Sequence, residues 1–261
     1  MSPKLTLYTF KLSLWAAAPR VAIHELNIPN VKQIEVDLSK AENFAPSYLK
    51  INPKHTVPTL EVEEEDGGKK YYDDTTSIIK YLDSLTGNTL SISQKKTEID
   101  AFLKEMHEKA DVGNPLFFTS GSKEELGAKK DIIVSFLQGR IDAWEAYKKE
   151  APEHTDLYDK QINETKGLLS YYTGGNPENM FALNKQLWQS ATEFLNKAES
   201  LLKSNGDYLF GQYSIADVHF TPYLFRSNLV RKPEQVFENR PSLKAYYERI
   251  KARPSFSKTF E

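Results

Sequence analysis

Apolar and polar side chains alternate along Leu5–Phe10 with the period of a half-buried strand. From Pro19 to Leu26 the period lengthens. Proline stands near the first turn and Val21, Ala22, Ile23 and Leu26 fall on one side, which predicts a helix. Val31–Val36 returns to β-branched alternation, and Phe44–Ile51 reads as a short helical piece. Thr59–Glu63 and Lys69–Asp73 are strands joined by Glu65-Asp66-Gly67-Gly68, a hairpin signal. Asp74–Leu85 is the clearest helix of this part. Asp74 or Thr75 caps it, Ile78, Ile79, Tyr81, Leu82 and Leu85 face inward, and Gly87 ends it. The order is β-α-β-α-β-β-α. Its first half is a βαβ unit, which requires a parallel pair and a right-handed crossover, and its second half is a hairpin with a covering helix.

That order is the thioredoxin-like layout. After a polar linker the pattern turns helical, with helices expected over 94–117, 129–150, 179–204, 215–230 and 242–252. The stretches 119–128 and 173–178 read as loops by composition. The polar stretch 152–172 is either an extra helix or a long excursion. The expected division is a thioredoxin-like α/β domain over 1–86, a linker over 87–93, and an all-α helical bundle over 94–261. In the bundle, Ser214 and Asp217 form a capping box ahead of an apolar helix, a structural role for Asp217.

Composition removes whole classes of chemistry. Thirty-four basic residues stand against 36 acidic ones, a net charge of −2, so no global field draws the chain to nucleic acid or an anionic membrane. No cysteine is present, which excludes disulfides, thiolate metal sites and a cysteine nucleophile. Any reactive thiol must therefore belong to a ligand. The five histidines, at 24, 55, 107, 154 and 219, show no metal-ligand spacing, so no metal is expected. No basic start leads into a seven-residue apolar stretch, and the longest apolar run, Leu14–Ala18, is far shorter than a membrane span. A cytoplasmic protein is expected. Neither a Walker loop nor the nucleophile elbow of α/β-hydrolases occurs.

The most informative segment is Asn52–Leu60. In a thioredoxin-like fold a proline just ahead of the third strand is commonly cis. Pro58 in that form would turn the backbone N–H and C=O of Val57 outward toward a peptide-like ligand. Asp74 and Thr75 stand at the start of the next helix, where free N–H groups favour a carboxylate and Asp74 can accept from an ammonium group. A ligand with an amino-acid head at one end and a peptide amide in its middle fits both. Glutathione is such a molecule.

These residues carry a resemblance to the cytosolic glutathione transferases. Asn52–Leu60 is similar to the family's N-P-x-H/G-x-V/I-P-x-L motif. Asp74–Leu82 resembles its E-S-x-x-I-x-x-Y-L segment, with Asp and Thr for Glu and Ser. Ser214–Asp217 resembles its S-x-A-D helix start, and the stretches 240–243, 247–250 and 253–256 resemble its closing helix. The resemblance spans nearly the whole chain. It implies that Val57, beside cis-Pro58, pairs with the cysteinyl part of glutathione, and that Asp74 and Thr75 hold the γ-glutamyl head. It further implies that His55 contacts the cysteinyl-glycine end, as in the delta and epsilon classes. Lys54 could add a positive charge for the glycine carboxylate. Other classes place His-Lys before the second helix. The corresponding stretch here is Glu42–Pro46, where Asn43 can hydrogen-bond but the positive charge is missing.

Family members ionise the thiol with a Tyr, Ser or Cys after the first strand. A free thiol has a pKa of about 8.5, so only a few per cent is thiolate near neutrality. Aligned forward from Leu7-Tyr8, Ser13 falls on the serine of the phi-like classes; aligned backward from Arg20-Val21, Trp15 falls there. Ser13 is the first candidate, followed by Thr9 and Tyr8. Trp15 is expected to line or underlie the site, and Arg20 to be a structural ion-pair partner. The acceptor pocket is expected between the domains, walled by the loop after the first strand and the first helix of the second domain, with Met106, His107, Val112, Asn114, Phe117 and Phe118 as candidates. The segments 119–128 and 152–178 are read as insertions that reshape or cover that cleft. The implied activity is a homodimeric glutathione S-transferase acting on a hydrophobic electrophile. The rival readings are a non-catalytic ligandin-like carrier and a regulatory, transferase-like protein.

Overall fold

The computed structural model describes residues 3–261. β1 (Lys4–Thr9), α1 (Leu14–Glu25), β2 (Lys32–Glu35), α2 (Pro46–Leu49), β3 (Thr59–Glu63), β4 (Lys69–Tyr72) and α3 (Thr75–Ser84) follow one another in the expected order. The sheet runs β2-β1-β3-β4. β2 is parallel to β1, while β3 and β4 are antiparallel to their neighbours, with Leu7 opposite Leu60. Alternation in β1 sends Leu5, Leu7 and Thr9 into the core and leaves Thr6 and Tyr8 on the other face. Gly67, at φ +82°, makes the hairpin turn.

The first helix begins at Leu14, five residues earlier than the proline suggested. Ser13 caps it by accepting from the Ala16 N–H, and Ala16, Ala17 and Ala18 are strong helix formers. Pro19 therefore lies inside the helix and has no N–H to give the carbonyl four residues back. That carbonyl belongs to Trp15, and the Thr75 hydroxyl donates to it instead at 3.2 Å. The helix is buried on nearly all sides because α3, α9 and α12 all pack against it. The segment read as one helix over Phe44–Ile51 is a 3-10 turn over Glu42–Phe44 followed by α2.

The rest is helical: α4 (Lys96–Glu108), α5 (Asn114–Phe118), α6 (Lys123–Glu150), α7 (Thr155–Tyr172), α8 (Glu178–Asn205), α9 (Ile215–Val230), α10 (Pro233–Phe237), α11 (Pro241–Lys251) and α12 (Pro254–Phe260). The helix expected over 94–117 is two helices. Between them the Asp111 carboxylate accepts from the Gly113 N–H at 2.7 Å, the local bond that competes with a helix. The loop expected over 119–128 ends at Ser122, whose hydroxyl caps α6 by accepting from the Glu125 N–H. The stretch 152–172 resolves as α7, which packs along α6.

One large core runs from Leu7, Leu60 and Ile79 through Phe102 and Phe194 to Phe220 and Tyr246. Asp217 sits within it, fully buried. Its carboxylate accepts from the Ser214 N–H and hydroxyl at 2.9 and 3.0 Å, the Leu209 N–H at 3.2 Å and the Tyr246 hydroxyl at 3.0 Å. A smaller core joins Ala41, Phe44 and Leu49 to Ile141, Trp144, Tyr158 and Ile162 of α6 and α7. Among the described residues no helix is long and apolar enough to cross a membrane.

Candidate functional site

The loop between β1 and α1 is tied down at each step. Glu35 accepts from the Lys11 N–H at 2.9 Å, and Arg20 donates to the Lys11 carbonyl at 2.9 Å. Arg226 of α9 donates to the Leu12 carbonyl, and the Ser13 N–H donates to Phe10 at 2.9 Å. Arg20 is thus a loop anchor, its charge disfavoured by burial and favoured by Glu35. These bonds set Ser13 at the mouth of α1. Its hydroxyl oxygen accepts from Ala16 N–H at 3.3 Å, which leaves the hydroxyl proton available for donation.

A cleft of about 1100 Å³ opens beside this loop. It is lined by Phe10–Trp15 and the segment His55–Val57, by Phe117, Phe118, Phe136, Arg140 and Trp144, and by Phe225, Arg226 and Phe260. The Val57–Pro58 bond is cis. Among the described residues, neither the N–H nor the C=O of Val57 has a hydrogen-bond partner. The supporting turn is rigid: Asn52 Nδ2 donates to the Thr56 carbonyl at 3.0 Å, and Tyr48 donates to the same oxygen at 2.6 Å. His55 adopts φ +49°, stacks on Phe44 at 4.2 Å and has its carbonyl held by Asn43 Nδ2 at 2.6 Å. Burial and the nearby Arg140 and Lys160 charges push its pKa below the usual histidine value, so His55 faces the cleft neutral at pH 7.

Four of the sequence candidates, Ser13, Asn43, His55 and Val57, line the cleft. Pro58 is buried behind Val57. Asp74 and Thr75 do not line the cleft but stand against its loop, joined to it through the Trp15 carbonyl. Asp74 accepts from the Ser77 N–H at 2.9 Å, which leaves the Thr75 and Thr76 N–H groups at the tip of α3. Lys54 points elsewhere: its ammonium lies 2.8 Å from Asp73, outside the cleft. Of the alternatives to Ser13, Tyr8 lies on the opposite face of the sheet and donates to Glu61, while the Thr9 hydroxyl is buried with no partner among the described residues. Neither lines the cleft.

The acceptor-wall candidates divide. Asn114, Phe117 and Phe118 line the cleft, whereas Met106 and Val112 are fully buried. The walls come from α5, α6, α7 and α9 rather than from α4. His107 lies beneath Trp15, stacked at 4.0 Å, with its Nε2 3.1 Å from Nδ1 of His219. Linear spacing gave no sign of this pair, which the packing of α4 on α9 assembles. Burial pushes His107 down to about 4 and His219 well below its ordinary value, so both are neutral. Burial raises the pKa of the Asp111 carboxyl, an effect the Gly113 N–H and the nearby Trp15 indole partly offset. Among the described residues no three His, Cys, Asp or Glu side chains converge as a metal site. Arg140 is a cleft cation that sequence reasoning missed, because Phe44 and the Leu38 carbonyl, which meet it alongside Phe136 and Trp144 of its own helix, come from a remote segment.

The likeness to known proteins follows the same lines. The chain is 27% identical over 257 residues, covering 97% of it and 94% of the relative, to the tetrachloro-p-hydroquinone reductive dehalogenase of Sphingobium chlorophenolicum. In fold it superposes on the β-etherase LigF of Sphingobium sp. strain SYK-6 with a TM-score of 0.68 at 24% identity, over 98% of both chains. It also matches a glutathione transferase family member of Pseudomonas fluorescens pf-5, solved with two glutathione bound, at TM-score 0.66 and 15% identity over 99% and 92% of the two chains. The family models for the N-terminal and C-terminal domains of glutathione S-transferase match residues 7–89 and 169–258, so the strands around cis-Pro58 and the helices around Asp217 belong to a member of the glutathione S-transferase family.

Proposed function

We propose that the protein conjugates glutathione to a hydrophobic electrophile, with Ser13 stabilising the thiolate. The observation that carries this reading is the Ser13 hydroxyl, at the N-terminus of α1, lining the same cleft as the backbone of Val57, which has no partner among the described residues. Glutathione, when bound, supplies the nucleophilic sulfur. Val57 offers one donor and one acceptor to its cysteinyl amide, and the α3 tip offers N–H groups to its γ-glutamyl carboxylate. Ser13 donates to the sulfur, and the dipole of α1 adds to it. Lowering the thiol pKa by two units corresponds to about 2.7 kcal/mol, within reach of those two effects. No side chain need act as a covalent nucleophile; orientation and charge stabilisation suffice.

The acceptor would lie against Phe117, Phe118, Phe136, Phe225 and Phe260, an apolar surface suited to an aromatic ring. The relative named for tetrachloro-p-hydroquinone supports a chlorinated aromatic as its class. Thiolate attack then forms a C–S bond and expels chloride. If such a conjugate is reduced further, a second glutathione must attack its sulfur, because this chain has no thiol: an S–S bond forms to give glutathione disulfide, the ring C–S bond breaks, and the ring carbon takes up the proton. We further assign glutathione binding to 1–86 and acceptor binding to 94–261, in a cytoplasmic homodimer.

Conjugation of 1-chloro-2,4-dinitrobenzene and of a chlorinated hydroquinone, followed by chloride release, tests the reading. Turnover with saturable glutathione dependence is expected. Tight glutathione binding without turnover of any electrophile would favour the carrier, and no glutathione binding would refute both readings.

A further inference from the structure

Arg140 is out of place for an ordinary surface arginine. It lies on α6, partly buried, and lines the cleft. Its guanidinium rests 4.7 Å from the Trp144 ring centroid, 5.4 Å from Phe44 and 5.7 Å from Phe136. Among the described residues, one of its five N–H donors has a partner, the Leu38 carbonyl. Among the described residues no carboxylate pairs with it, and burial alone pushes its pKa down to about 10. The other cations near His55 are engaged: Lys54 with Asp73 at 2.8 Å, and Lys160 with Glu164 at 4.0 Å. A guanidinium desolvated against aromatic faces and lacking an acid is a receptor for an anion that the chain does not supply.

Its position says which anion. The inference rests on the glutathione reading above. With the γ-glutamyl head at the tip of α3 and the cysteinyl amide on Val57, the tripeptide continues past Val57 toward His55 and Asn43. One extended residue adds about 3.5 Å. Phe44 connects the two groups, stacked on His55 on one side and lying under Arg140 on the other. The stretch Glu42–Pro46 has no cation of its own. We propose that Arg140, reaching over from α6, binds the glycyl carboxylate of glutathione through its free N–H donors. The charge absent from the segment before α2 is thereby provided from the helical part of the chain.

The test is a comparison of ligands by titration calorimetry, using the full chain. Wild type should bind glutathione on the order of tenfold or more tightly than its glycyl monoethyl ester, which lacks the charge. Arg140→Met, which keeps the apolar stem among the rings, should bind both alike and at the ester's affinity. Arg140→Lys should retain part of the preference, which a purely structural role would not. A preference undiminished in Arg140→Met overturns the proposal, even though glutathione still binds. An unchanged preference joined to a raised KM for 4-chloro-3-nitrobenzoate, but not for its neutral amide, moves the subsite to the acceptor's carboxylate and equally overturns it. Failure of wild type to bind glutathione at all removes the underlying reading as well.

Discussion

Ser13→Ala removes two things at once, and they can be measured apart. The hydroxyl caps α1 through a 3.3 Å contact, long for an N–H···O bond, so the stability lost lies at the low end of the capping range, about 0.5–1 kcal/mol. For a chain of this size that is a fall in Tm of about 2–4 °C at most. The catalytic loss is larger. A hydrogen bond to a charged acceptor contributes about 1.5–3 kcal/mol, or about one to two pKa units on the bound thiol. Conjugation should therefore slow about 10- to 100-fold at pH values below the wild-type thiol pKa. The deficit should close as pH rises above the variant's own pKa, where both proteins hold thiolate. Ser13→Gly separates the effects, since glycine at the N-cap costs only a few tenths of a kcal/mol while losing the same proton donor. The assay is the pH dependence of kcat/KM, read beside the ultraviolet absorbance of bound thiolate. Profiles of Ser13→Ala and Ser13→Gly that superimpose on wild type would refute the reasoning. A rate loss equal at every pH would show that the hydroxyl orients the sulfur without ionising it.

Three further expectations concern the scaffold. Asp217→Asn replaces a carboxylate that accepts four hydrogen bonds with an amide whose NH2 faces donors, so it should cost on the order of 3 kcal/mol; a Tm within 2 °C of wild type, about the shift of a single kcal/mol, would contradict this. Arg253→Met strips Glu25, largely buried, of a bidentate partner at 2.7 and 2.6 Å, with an expected cost of about 3 kcal/mol that Glu25→Gln in the same chain partly restores; no recovery in the double variant would count against a buried-charge origin. Stability should also rise with pH between about 4 and 6.5. The folded chain refuses protons at His107, pushed down to about 4, and at His219, both of which the unfolded chain binds below 6.5. Asp217, raised from 3.8 to about 6, and Asp111, also raised by burial, oppose this because the folded state holds their protons more tightly, but His24 and His55, likewise lowered by burial, side with the pair, so four groups outweigh two. Urea denaturation at pH 5 and 6.5 reads the difference, and His107→Gln should make it smaller; an unchanged slope in that variant would rule the pair out as its source.

Much of this architecture was legible because local chemistry and final structure agree. β1 alternates, Asp74 caps α3, and Asn52–Leu60 folds into the cis-proline turn with Val57 facing outward. The start of α1 was misread because Pro19 resembles a first-turn proline. The three alanines before it and the Ser13 cap outvote that signal, and Thr75 satisfies the carbonyl the proline leaves bare. The start of α6 was announced by Ser122 and Glu125, a spacing masked by the polar composition around it. The long-range pairings carried no local signal. Arg140 with Phe44 and His107 with His219 lie about a hundred positions apart and meet only when helices pack. Lys54 shows the converse: its place in the motif implied a ligand contact, and the motif gave no sign of the ion pair it makes with Asp73.

The small core that joins Phe44 to Trp144 and Tyr158 bears on how such proteins can be recombined. The Tyr158 hydroxyl donates to the Phe44 carbonyl at 3.0 Å, so the segment leading to α2 is shaped by α7 as well as by the sheet. A chimera cut after α3, joining these strands to a relative's helices, would inherit Val57, Asp74 and Thr75 intact. It would lose the support under Phe44 and His55. The practical crossover unit is therefore larger than the sheet-bearing segment, and helices α6 and α7 should travel with residues 38–57 whenever the two parts are exchanged.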